Sequence, residues 1–297
     1  MPLNLPDQLP AVEALRSEHV IVTDTDWNIV SGSRPLRVVI LNLMPVKETT
    51  EYDLVRLLSN TPLRMEVQFM KIGGHVSKNT SADHIGRFYR EFYELKDQRF
   101  DGMIITGAPL EQMEYEEVKY WTQLQDIFNW ARENVASTLY ICWAAQAALY
   151  HFYGVPKYPL DKKMFGIFRH TVADRENPVF RGFDDEFFVP HSRHSEVRRE
   201  DIVKCGELAL LSESEESGVY LVSARGGKEI FVTGHSEYAP DTLDGEYRRD
   251  VSKGLSIELP VNYYRNDDPD QGPVVRWRGH ANLLFSNWLN YFVYHRS

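Results

Sequence analysis

Leu36-Arg37-Val38-Val39-Ile40-Leu41-Asn42-Leu43 decides the fold. Apart from Arg37 and Asn42 the stretch is apolar on both faces and β-branched at its centre, the pattern of a strand covered on both sides in a parallel sheet. Outward from it, a loop with Pro45 leads to helical spacing over 49–58, and 63–70 alternates as a strand that ends at Gly73-Gly74. This is the start of a βαβ unit. Helical spacing over 82–95, a buried strand over 102–106 closed by Gly107-Ala108-Pro109, a helix over 116–133, a strand over 137–141 and a helix over 144–153 continue the alternation. Strands separated by helices imply right-handed crossovers, and therefore an α/β fold with a doubly wound, mostly parallel sheet and flanking helices.

Toward the N-terminus, the segment to Pro35 is polar, with a short helical pattern at 12–15 and a strand pattern at 19–22, and reads as an arm. Toward the C-terminus the chain is richer in strands, at 186–189, 208–211, 219–222 and 229–233. A polar loop over 262–279 and an aromatic helix over 281–294 close it. No internal repeat and no strong linker appears, so the expected organisation is an arm, 1–35, and one α/β domain, 36–297.

The 297 residues are 43% hydrophobic, 26% charged and 12% aromatic, an ordinary globular composition that excludes disordered and collagen-like classes. Lys and Arg number 33 against 43 Asp and Glu, a net charge of −10, which argues against a general nucleic-acid or anionic-membrane binder. No apolar run is long enough to span a membrane, and Met1-Pro2-Leu3-Asn4-Leu5-Pro6-Asp7 lacks a basic region followed by an apolar stretch, so a cytoplasmic protein is expected. A homodimer is the default for a soluble enzyme, and the aromatic C-terminal helix could supply its interface.

Cys142 follows a strand and directly precedes a helix, where a sharp turn exposes the side chain to the helix amides and dipole. It reads as a nucleophile, with a buried structural cysteine as the alternative. Cys205, in a polar turn, has no such setting. His235 follows the strand that ends at Thr233, and Glu237 comes two residues later, on the same side of an extended chain. The carboxylate can then fix one imidazole tautomer while the other nitrogen faces a thiol, as in a Cys–His–Glu triad. Acyl transfer also needs donors for an oxyanion, and Ala108, Trp143 and Lys47 are candidates. Phosphate-loop, dinucleotide and serine-elbow motifs are absent. His191-Ser192-Arg193-His194 lacks the second cluster a metal site needs and reads as a polar loop, so no metal and no bound cofactor is expected.

Tyr140-Ile141-Cys142-Trp143-Ala144-Ala145-Gln146, His235-Ser236-Glu237-Tyr238 and residues 100–109 together resemble the homoserine O-acyltransferase family of methionine biosynthesis. The similarity covers nearly the whole chain, including Asn42-Leu43-Met44-Pro45, Pro190-His191-Ser192-Arg193-His194, Asp241-Thr242-Leu243 and Glu246-Tyr247-Arg248-Arg249-Asp250. More distantly the arrangement is similar to class I glutamine amidotransferases, which implies a flavodoxin-like sheet. Those enzymes usually flank the cysteine with glycines, whereas Ile141, Trp143 and Ala144 stand here. Glutamine hydrolysis is thereby disfavoured, and a non-catalytic binding module still more so because Cys142, His235 and Glu237 are all chemically intact.

The resemblance implies Cys142 as acyl-thioester nucleophile, His235 as general base and Glu237 as the residue that holds it, in a ping-pong cycle with L-homoserine as acceptor and acyl-CoA as co-substrate. It also implies Lys163, Ser192 and Arg249 as substrate-binding residues. A guanidinium suits the homoserine carboxylate, although a salt bridge to Asp250 or Glu246 is an equally simple use of Arg249. Succinyl-using relatives typically carry glycine after the Ala-Pro-Leu turn, where this chain has Glu111. A glutamate there fills space and repels the succinyl carboxylate by roughly 4 kcal/mol at about 4 Å and an effective dielectric near 20. Acetyl-CoA is the expected donor, with succinyl-CoA as the nearest alternative. Arg265, Arg276 and Arg278 could meet the phosphates of the coenzyme.

Overall fold

A computed structural model describes residues 3–6, 8–17, 22–23, 34–74 and 79–296. Among these residues twelve strands form one sheet. They are β1 (Leu3–Asn4), β2 (Val22–Thr23), β3 (Leu36–Leu41), β4 (Met65–Lys71), β5 (Tyr89–Glu91), β6 (Phe100–Ile105), β7 (Val135–Ile141), β8 (Tyr158–Val172), β9 (Glu186–Glu196), β10 (Leu208–Ser214), β11 (Gly218–Ala224) and β12 (Glu229–Val232). The order is β2-β1-β4-β3-β6-β7-β12-β11-β10-β8-β9, with β5 beside β4. From β2 to β12 all pairings are parallel; from β12 to β9 all are antiparallel. Helices α1 (Ala11–Ser17), α2 (Lys47–Leu58), α3 (Ala82–Phe88), α4 (Phe92–Leu95), α5 (Trp121–Asn134), α6 (Trp143–Tyr153), α7 (Arg199–Lys204), α8 (Thr242–Ser252) and α9 (Arg278–Asn287) flank it.

β3 is buried on both faces, as its composition requires. Val38 and Ile40 join a core with α1, α2 and α9, and Val39 and Leu41 join a second core with α5 and α6. A smaller third core gathers Phe165, Ile167, Tyr238, Leu243, Tyr263, Tyr264 and Trp277 around β8 and α8. The N-terminal segment is laid onto the sheet: β1 pairs with β4 and β2, and Leu5, Leu9, Ala11 and Leu15 are buried in the first core. Of the strand expected at 19–22, residues 19–21 lie outside the described residues, and Val22 begins β2.

Several expectations are corrected. The single helix over 82–95 is two helices separated by β5, because Tyr89 turns extended to pair with the end of β4 and to send its hydroxyl to the buried carboxylate of Glu51 at 2.5 Å. β8 went unread because Pro159, Gly166 and the charged run Asp161-Lys162-Lys163 break its pattern, and its pairing with β9 is irregular between Pro159 and Met164. At Gly166 (φ 145°) a Cβ would lie 2.4 Å from the Val261 backbone nitrogen, so the neighbouring chain demands glycine. Residues 191–194, read as a loop, belong to β9, an edge strand on which Pro190 is tolerated. The aromatic C-terminal helix is not a free face. α9 runs into a π-helical turn, Trp288–Val293, and Trp288, Leu289, Phe292 and Val293 are buried in the first core. No helix among the described residues is long and apolar enough to cross a membrane.

Candidate active site

β7 and β12 run side by side and end together, and their C-terminal ends place Cys142 and His235. Cys142 has φ 50° and ψ −113°, a conformation rare outside glycine that costs on the order of 1–3 kcal/mol. Two bonds hold it there. Its amide donates to Val232 O (2.7 Å), completing the ladder to β12, and its carbonyl accepts from Gln146 N (3.1 Å), opening α6. The strand-to-helix reversal thus turns the thiol out of the sheet edge.

Past β12, His235 N donates to Pro190 O (2.8 Å), which ties the loop to β9. Gly234 makes the approach possible, since a Cβ there would lie 2.7 Å from Val189 Cγ1 and 2.9 Å from His191 Nε2. His235 Nδ1 and Glu237 Oε1 are 2.6 Å apart, and the ring stacks on Tyr238 at 4.2 Å between centroids. Gly107 lies where the reactive groups meet: a Cβ on it would be 3.3 Å from Cys142 Cβ and 3.7 Å from His235 Cε1. Burial disfavours a charged His235, but the charges of Cys142 and Glu237 and the ring's hydrogen bonds to both raise its pKa well above the ordinary value.

A cavity of about 190 Å³ opens over the sulfur, and Ala108, Glu111, Lys163, Ser192, His235 and Arg249 all line it. The backbone amides of Ala108 and Trp143 have no protein acceptor among the described residues, as oxyanion donors require. Glu111 faces the cavity; burial raises its carboxyl pKa, opposed by His194, His235 and Lys163. Lys157 Nζ fixes that turn from behind through Glu111 O (2.8 Å).

Lys47 is corrected as an oxyanion candidate. Its ammonium turns away from the cavity to Asn42 O (2.7 Å) and Met44 O (3.0 Å), and burial pushes its pKa down to about 8. It braces the loop that carries Met44 and Pro45 to the cavity wall. Arg249 spends its Nε on Asp250 Oδ1 (2.7 Å), while its side chain stays half exposed at the cavity. No cluster of three or more His, Cys, Asp or Glu among the described residues could hold a metal.

Glu246 was not singled out as a site residue. Its carboxylate accepts from Lys163 Nζ (3.0 Å), Ser192 Oγ (2.6 Å) and Tyr238 OH (3.3 Å), so it organises two of the three expected binding residues. The signal was the spacing 246, 249, 250, which places three ionic groups on one face once α8 is a helix.

The family model described as homoserine O-succinyltransferase matches residues 2–297. A homoserine O-acetyltransferase of Bacteroides fragilis is 69% identical over 99% of this chain and 96% of its own. One of Phocaeicola vulgatus is 66% identical with the same coverage, and one of Brevibacillus brevis is 59% identical, again with that coverage. Among solved structures, a glutamine amidotransferase from Thermotoga maritima aligns over 88% of this chain and 100% of its own with a TM-score of 0.55 at 13% identity. At that identity the likeness speaks for the fold alone.

Proposed function

The chain belongs to the homoserine O-succinyltransferase family, and from that premise we propose that it moves an acetyl group from acetyl-CoA to the hydroxyl of L-homoserine through a thioester on Cys142. In the first half-reaction the Cys142 thiolate attacks the thioester carbonyl, and the amides of Ala108 and Trp143 receive the oxyanion. Collapse breaks the bond to the coenzyme sulfur, which takes the proton of the His235 imidazolium and leaves as the free thiol.

Acylation changes the electrostatics of the ring. The sulfur that held the proton on His235 is now a neutral thioester, so that support is gone and the imidazole becomes a base. It removes the proton of the homoserine hydroxyl as the oxygen attacks, and Cys142 departs as thiolate. Glu237 keeps Nδ1 protonated and the ring oriented throughout. Homoserine is a zwitterion. Arg249 is suited to its carboxylate and Glu246 to its ammonium, one helical turn apart on α8.

One observation carries the choice of donor: Glu111 lines the same cavity as Cys142, where it takes up volume and sets a carboxylate against any second carboxylate on the acyl chain. The family is described by succinyl transfer, whereas the relatives above are named for acetyl transfer, as this reading requires. Acetyl-CoA acts as a co-substrate, and no bound cofactor is invoked. A biosynthetic reaction on soluble metabolites fits the cytoplasm. The test is kcat/KM for acetyl-CoA and succinyl-CoA, with homoserine, on the chain and on Glu111→Gly. Acetyl-CoA is preferred by the former, and the ratio moves toward succinyl-CoA by at least about tenfold in the latter. An unchanged ratio overturns the account of the donor, and glutaminase activity in place of transfer overturns the reaction.

A further inference from the structure

Arg193 is a charged residue that the mechanism leaves unused. Its side chain projects from β9 into the interior, only 1% exposed. A buried guanidinium is costly unless a carboxylate pairs with it, and among the described residues none lies within ion-pair distance. Its partners are neutral: Nη1 donates to Ser195 O (2.7 Å), Nη2 to Ser217 O (2.5 Å) and Nε to His191 Nδ1 (3.3 Å). The hydrogen bonds are satisfied and the charge is not.

The position explains what balances it. Ser195 O, which accepts from Arg193, also accepts from Gln146 Nε2 (3.1 Å), and Ser195 Oγ returns a bond to Gln146 Oε1 (2.6 Å). Gln146 is the residue whose amide closes the first turn of α6 onto the Cys142 carbonyl. The guanidinium is therefore linked to the strained elbow through Ser195 and Gln146. From the other side, His191 crowds Gly234, one residue before His235: a Cβ on that glycine would lie 2.9 Å from His191 Nε2.

We propose that Arg193 is a positioning residue that supplies the buried counter-charge of the site: with His235 as imidazolium it offsets the negative charges of the Cys142 thiolate and Glu237, so the four sum to zero. This rests on Cys142 being the nucleophile. The other titratable groups facing the sulfur and the guanidinium are Glu111, Lys163, His194, Glu246, Arg249 and Asp250 around the cavity, His170 on β8, His191 and Glu196 on β9, Tyr115 ahead of α5, and Tyr238 beside His235. Burial keeps His170 and His191 neutral, pushing His170 down to about 3 and His191 well below its ordinary value, with the Arg193 charge acting in the same direction on each. Burial likewise raises both tyrosines, which stay neutral. Glu196 is partly exposed and lies 3.8 Å from Arg198. Arg193 is itself lowered, first by burial, while Cys142 and then Glu196 oppose the shift. Without Arg193 the buried set is left with a net negative charge, and the cheapest relief is a proton on the sulfur.

The test reads the thiolate without the acyl-transfer reaction. The alkylation rate of Cys142 by iodoacetamide is followed across pH in the full chain, in Arg193→Gln, in Arg193→Met and in Arg193→Lys, with folding checked by circular dichroism. The neutral variants are expected to alkylate at least about tenfold more slowly near neutral pH and to recover in alkaline solution as the thiol ionises, and the lysine variant is expected to follow the parent profile. A folded neutral variant whose profile superimposes on the parent overturns the proposal. So does a folded lysine variant that has lost the neutral limb, because then geometry and not charge is at work. If neither neutral variant folds, the lysine variant alone decides by the same criterion. Acetyl-CoA labelling of the parent separates the two claims: no thioester defeats the proposed function, whereas a thioester with superimposed alkylation profiles defeats only the role of Arg193.

Discussion

Asp53 sits on α2 behind the site, one Oδ1 buried without a hydrogen-bond partner. Burial pushes its pKa up to about 8; Arg56 opposes the shift, while the charges of Glu237 and Asp241 add to it. An unfolded aspartate ionises near pH ~3.9. Between about pH 4 and pH 8 the unfolded chain therefore releases a proton that the folded chain keeps, so this residue makes stability fall as pH rises through that window. Asp53→Asn keeps the volume and removes the titration. It is expected to be more stable than the parent by on the order of 2 kcal/mol at about pH 9 and by much less at about pH 5, as read from paired thermal melts. An equal difference at both pH values contradicts the burial of a protonated carboxyl. The neighbouring Arg56 donates to Glu237 O (3.1 Å), so the same helix also steadies the backbone of the acid partner.

At the scale of elements, function depends on how closely β12, β9 and the elbow after β7 approach. Gly234 is the tightest point. Gly234→Ala places a methyl 2.7 Å from Val189 and 2.9 Å from His191, and the 234–237 loop has to lift away from β9. Activity is expected to fall by at least about a hundredfold with a modest loss of stability, measured as kcat/KM and melting temperature on one preparation. Unchanged turnover contradicts the placement of His235. The parallel half of this architecture was legible because its strands are buried on both faces, so β3, β6 and β7 read as apolar runs and Cys142 falls visibly between one such run and a helix. In the antiparallel half β10, β11, β12 and the start of β9 were legible as well, whereas β8 and the rest of β9 were not. β8 and β9 carry polar side chains into the cavity and the buried network, among them Lys163, Ser192 and Arg193, and that composition is indistinguishable from a loop until pairing is known. α8 was missed for a related reason: its buried residues are few, Leu243 and Asp250, because its other face serves the cavity and solvent. Cys142, His235, Glu237 and Glu111 stood at strand ends and turns, where residue type carries the signal. Glu246 and Arg193 take their meaning only from partners brought together by the fold.

Over the whole molecule, charge is segregated by task. The chain carries a net −10, yet the cavity gathers Lys163, Arg249 and His235 with Cys142, Glu111, Glu246 and Asp250, while Glu237 stands behind His235 and the guanidinium of Arg193 is buried. Two cores cover the faces of the sheet and the C-terminal helix seals one of them, so the strain at Cys142 is borne by densely packed elements. All of this serves one covalent step. The most direct test is intact mass spectrometry of the full chain mixed with acetyl-CoA in the absence of homoserine. One acetyl group is expected on the peptide that contains Cys142, discharged when homoserine is added and absent from Cys142→Ser at the same position. An acetylated Cys142→Ala chain that still transfers to homoserine, or a parent chain that transfers without ever carrying the adduct, contradicts the thioester.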